Sequence, residues 1–167
     1  MDSSSRTIRY GAAVGVIAYG SVAVFYALFD LLASRGVLYT VNQLGRAFFR
    51  GDRETASLGL PRAIDWSAIA LYNALHFAVS LAIGITVATL VEHAHRRPDR
   101  APVTLLTLIA GFVFTIGIIG AATASMRPVL PWWSIIVANS VAVVLAGWFL
   151  MSRYPTVFRR LTDPPIR

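Results

Sequence analysis

Apolar residues in this chain gather into four long blocks, with no sustained alternation of the kind that marks a half-buried strand. No charged residue falls within 10–29, 66–91, 101–126 or 128–152, windows of 20, 26, 26 and 25 residues. A helix needs about 20 such residues to cross the hydrocarbon of a bilayer. The pattern predicts an all-α integral membrane protein, a single domain over 1–167. Its four transmembrane helices should lie at about 10–33, 66–91, 103–124 and 132–152.

One connection is long enough to hold structure of its own. Between spans 1 and 2, Val37, Leu38, Val41, Leu44 and Phe48 recur at helical spacing, opposed by Thr40, Asn42, Gln43, Arg46 and Arg50. That separation predicts a short amphipathic helix at about 37–49, lying in the interface or offering a docking surface to a partner protein. The polar, Gly-punctuated stretch at 51–61 should be a loop, and Asp65 is placed to cap the second span. Pro128 and Pro131 bracket a tight turn before Trp132. At the end of the chain, Phe158 and Leu161 lie between arginines, as in a segment running along lipid headgroups.

Small residues suggest where helices touch. Gly11, Gly15, Ala23 and Ala27 keep a four-residue spacing broken by Tyr19. In lipid, where there is no hydrophobic drive between helices, such positions let two backbones approach. Close packing inside the bundle is the expectation, and a dimer seam the alternative. The third span carries Thr107, Gly111 and Thr115 on one stripe, with Gly117, Gly120 and Ala121 beside it.

Composition narrows the class. Hydrophobic residues make up 56% and charged residues 14%, against about 25% charged in soluble domains, and mean hydropathy is +0.64. A soluble enzyme, a disordered chain and a nucleic-acid binder are excluded on this ground. Without cysteine there is no disulfide, no thiolate metal site and no cysteine nucleophile. All 15 basic residues are arginine, and the formal net charge is +7. Arginines flanking apolar helices meet anionic lipid and set orientation. Four spans place nine arginines on the side of both termini and six on the other, which predicts a multi-pass cell-membrane protein with both termini cytoplasmic. The first apolar run exceeds a signal-peptide core, so it reads as a retained span.

Candidate chemistry lies in polar residues inside the spans, because each needs a partner where water is absent. With alternating span directions, Tyr26, Asn73, His76, Thr115, Asn139 and Ser140 fall at comparable depths on four helices. Such a layer is either an interhelical hydrogen-bond cluster or a binding site for a quinone, a polar headgroup or an ion, with His76 as donor or proton carrier. A haem on His76 would lack a second axial histidine within the chain, because His93 lies about 25 Å further along the same helix. A haem shared with another subunit stays open. Glu92, His93 and His95 suggest a metal site on paper, but histidines two apart diverge on a helix. Glu92 with Arg96 forms an ordinary i,i+4 pair, and Asp30 sits within reach of Arg35.

No paired carboxylates, Ser-His-Asp set, phosphate loop or HExxH motif occurs, so catalysis has no visible machinery. No cofactor is predicted, and haem and quinone remain as alternatives. The sequence reads as a non-catalytic accessory or assembly subunit of a larger membrane complex, with lipid and other membrane subunits as partners. The alternative is a stand-alone carrier or small-molecule binder. Carriers tend to break their helices near the midplane, and no proline interrupts the interior of these spans.

Overall fold

The computed structural model describes residues 3–52 and 63–157, of which 86% are helical, with no strand among them. Five long or medium α-helices follow one another among the described residues: α1 (Ser3–Leu32), α2 (Tyr39–Phe49), α3 (Trp66–Arg96), α4 (Ala101–Ala122) and α5 (Trp132–Arg153). Single 3₁₀ turns at Pro98–Arg100 and Ala124–Met126 flank α4. Four of these helices, α1, α3, α4 and α5, are long and apolar enough to cross a membrane.

Two of the long helices, α1 and α3, run well past their charge-free blocks because polar residues continue the helical turn, whereas α4 stops inside its block at Ala122. Thus α1 begins seven residues before position 10, and α3 extends through Glu92–Arg96 until Pro98 stops it. Asp65 caps α3, accepting the Ala68 amide at 2.9 Å. The connection after Met126 is the expected tight turn, with the Val129 and Leu130 amides both donating to the Met126 carbonyl. Residues 53–62 and 158–167, including Phe158 and Leu161, lie outside the described residues. The end where α1 starts is termed proximal here, and the end where it finishes distal.

Helix α1 is the centre of the packing, with α3 against one side and α5 against another. Its contact with α3 is backbone on backbone. A Cβ on Gly11 would lie 2.5 Å from Ile85 Cα, one on Gly15 2.7 Å from Leu81 Cα, and one on Gly84 would overlap the Gly11 carbonyl and the Gly15 amide. The expected close packing is therefore realised within the bundle by these three glycines, and Ala23 and Ala27 border a cavity further along. Helix α4 stands at the edge: of its 22 residues, Ala101, Thr104 and Gly120 are buried. Gly120 gives room to the Trp132 ring, which a Cβ there would strike. Arg127 lies over that ring, 4.1 Å from its centroid.

Helix α2 corrects an expectation. It starts at Tyr39 rather than 37, and its buried side is mixed: Leu44 and Ala47 are buried beside Thr40, Asn42 and Gln43, while Arg46 is half-buried and Arg50 exposed. Thr40, Asn42 and Gln43 are 1%, 5% and 2% exposed, whereas Val37 and Phe48 are 49% and 38% exposed. Hydrogen bonding accounts for the burial of Asn42, because a polar group can be buried where it meets partners. Asn42 accepts the Asp65 amide at 2.9 Å and donates to the Ala63 carbonyl at 3.4 Å. Gly45, without a side chain, sets its backbone against the Ala68 carbonyl. Helix α2 is thereby fastened to the start of α3.

Candidate functional site beneath helix α2

A carboxylate fixes the other end of α2. Asp30, 1% exposed near the end of α1, accepts both the amide and the hydroxyl of Thr40 at 2.6 Å. A carboxylate at a helix N-terminus satisfies amides that have no partner within the helix and complements its dipole. Arg35 approaches Asp30 at 3.5 Å, as its position suggested, and its guanidinium also lies 5.0 Å from the Phe29 centroid and 4.8 Å from that of Tyr39.

Held at both ends, α2 roofs a cavity of about 150 Å³ between α1 and α3. Tyr26 and Asp30 come from α1, Leu38, Thr40 and Leu44 from the α2 segment, and Tyr72, Asn73 and His76 from α3. Asn73 is locked, accepting the Tyr19 hydroxyl at 2.8 Å and donating to the Ile69 carbonyl at 2.9 Å. The Tyr26 hydroxyl lies 3.3 Å from Ser134 Oγ. Ser134 already donates to the Pro131 carbonyl at 2.8 Å, so Tyr26 is the donor of that long bond. His76 lies between two phenol rings, with centroids 5.2 Å from Tyr19 and 6.0 Å from Tyr72. Among the described residues, neither the His76 ring nitrogens nor the Tyr72 hydroxyl has a hydrogen-bond partner.

The six residues of the anticipated layer separate into two groups. Tyr26, Asn73 and His76 share the cavity wall, whereas Thr115, Asn139 and Ser140 do not line it. Thr115 donates to the Gly111 carbonyl at 2.8 Å and Asn139 to the Ile135 carbonyl at 2.8 Å, each within its own helix. Ser140 is half-buried on α5. Depth placed these residues at one height, but rotation about each helix axis kept them apart, and α4 packs on α3 and α5. Four contributors to this region were not placed in the anticipated layer: Tyr19, Asp30 as a cap, Thr40 and Tyr72. Tyr19 was legible as the residue seven before Tyr26, on the same helical face.

At the proximal end, Glu92 pairs with Arg96 at 2.8 Å, the expected i,i+4 bridge, and with Arg6 at 3.9 Å. His95 lies 3.0 Å from Thr156 Oγ1. Among the described residues, no three His, Cys, Asp or Glu side chains come together as a metal set. Burial, reinforced by Glu92, pushes the Tyr154 phenol up to about 12, although its hydroxyl stays outside hydrogen-bond geometry. On the distal side, Arg50, the Ala68 amide and Ser67 hold the Asp65 carboxyl well below its usual range.

Among the described residues, fold and site together define an all-helical protein with four helices of membrane-crossing length and a small cavity under a further helix. Comparison with protein-family profiles, curated proteins and solved structures found no match to this chain.

Proposed function

We propose that this chain is an integral membrane protein with both termini on the cytoplasmic side, acting as a non-catalytic subunit of a larger membrane assembly. The charge-free blocks and the arginine asymmetry support the membrane placement. So do the exposed indoles of Trp66, Trp132 and Trp133 near the distal helix starts. A reporter active only outside the cytoplasm, fused at the C-terminus, should be silent; an active fusion overturns the orientation.

The subunit reading is carried by α4. Val103, Leu106, Val113 and Phe114 are each more than three-fifths exposed, and among the described residues no atom would meet a Cβ at Gly111 or Gly117. Helices in lipid associate through close packing at small residues, and this helix leaves that capacity unused among the described residues. Single cysteines are clean reporters in a chain that has none. Phe114→Cys on α4 should cross-link to one distinct polypeptide in native membranes. Val24→Cys, comparably exposed on α1 (59% against 68%), should not. Equal behaviour of the two overturns the reading.

The cavity supports a second reading, a small-molecule binder. Polar groups without partners in an apolar surrounding are costly, and His76 and Tyr72 offer two beside one cavity. A short-chain ubiquinone added to the purified protein should quench tryptophan fluorescence, and His76→Leu should abolish the effect with helicity retained. No quenching, with no haem absorption band in the preparation, counts against it.

A further inference from the structure

The proximal end holds a second cavity, of about 210 Å³, lined by Arg6, Arg9, Tyr10 and Arg153. We propose that it binds the phosphate of an anionic membrane lipid. The placement rests on the membrane-spanning reading above, but not on the subunit or small-molecule readings.

Height along the helices is the first argument. Arg9 directly precedes the charge-free block 10–29, and Arg153 directly follows the block 128–152. When α1 and α5 cross a bilayer, both guanidiniums therefore stand where hydrocarbon gives way to headgroups. Arg6, three residues before Arg9, shares its face of α1.

Charge is the second argument. Three guanidiniums from two helices converge on one cavity. Arg6 shares the Glu92 carboxylate with Arg96, at 3.9 Å against 2.8 Å. A phosphate matches the planar donor fork of arginine.

The floor is the third. Tyr10 packs edge-on against Phe149 and Tyr154, with centroids 6.1 and 5.8 Å away. The Arg153 guanidinium lies 5.7 Å from the Tyr10 ring and 5.4 Å from that of Phe149. A cationic mouth on an aromatic floor suits a phosphate attached to a glycerol backbone better than a free, fully hydrated anion.

The test is lipid retention by the full chain in mild detergent, mixed with equal amounts of phosphatidylglycerol and phosphatidylcholine and read by native mass spectrometry. Wild type should retain phosphatidylglycerol selectively. The double variant Arg9→Gln/Arg153→Gln should lose about tenfold of it, the scale expected for two charge-assisted hydrogen bonds at a wet site. Arg97→Gln/Arg100→Gln removes the same charge from exposed positions at the same end and should leave retention unchanged. Equal loss in both pairs, equal retention of both lipids, or complete displacement by millimolar inorganic phosphate would each overturn the proposal. If the double variant does not fold, Arg153→Lys keeps the charge and loses the fork. It should retain about threefold less phosphatidylglycerol, and unchanged retention overturns the proposal as well.

Discussion

Two glycine-rich regions of this protein use glycine in opposite ways. Along the α1–α3 seam, Gly11, Gly15 and Gly84 sit where a Cβ would strike the backbone of the facing helix. On α4, Gly111 and Gly117 face open space. The difference teaches that small residues in an apolar helix grant permission for contact, and that a partner in matching register decides whether it is used. The seam is complete within the chain, whereas α4 presents the same capacity outward.

The sharpest way to break this contrast is to fill the seam. Gly84→Leu should prevent α1 and α3 from seating, at a cost of about 3 kcal/mol or more, the upper range for overpacking. Unfolding in mixed detergent micelles would show it, and wild-type stability would mean that the two backbones do not touch. Gly120→Ala tests the one glycine through which α4 engages α5. Displacing the Trp132 ring, with Arg127 stacked on it, should cost about 1–2 kcal/mol and red-shift the tryptophan emission.

A smaller effect follows from pH at the distal start of α3, where Asp65 joins the end of α2 to α3. Its folded carboxyl titrates below the usual aspartate range. The stabilisation is thus present above that range and is lost as pH falls through the folded value. Acidification should raise amide exchange in α2 before it affects α1, and Asp65→Asn should remove that pH dependence. The smallest effect belongs to the open glycines: Gly111→Ala should change stability by less than about 0.5 kcal/mol, in line with exposed sites. A large loss there in the isolated protein would place a neighbour against α4 and end the comparison.

Much of this architecture was legible in the sequence because charge and proline punctuate it. Asp65 opens α3, and Pro128 and Pro131 shape the turn before α5, whereas charge marked the end of the second span at Val91 and the helix continues to Arg96. What escaped was rotation and partner choice. Tyr26, Asn73 and His76 reached one cavity because α1 and α3 are direct neighbours, whereas Thr115 and Asn139 bonded to their own helices. Periodicity set Thr40, Asn42 and Gln43 opposite Leu44, yet all four are buried. Asp30 and the residues before α3 supply hydrogen bonds to Thr40 and Asn42 that no period encodes.

The central position of α1 also sets an order of events during synthesis. The first long helix to be made finds its seam partner, α3, after the α2 connection has emerged. It meets its second wall, α5, after the whole of α4. The Tyr26–Ser134 bond and the Tyr10 contacts with Phe149 and Tyr154 all span more than a hundred residues of chain. A nascent chain halted before residue 132 lacks α5, and with it one wall of its oldest helix. Completion is registered at the beginning of the molecule by the arrival of its last long helix.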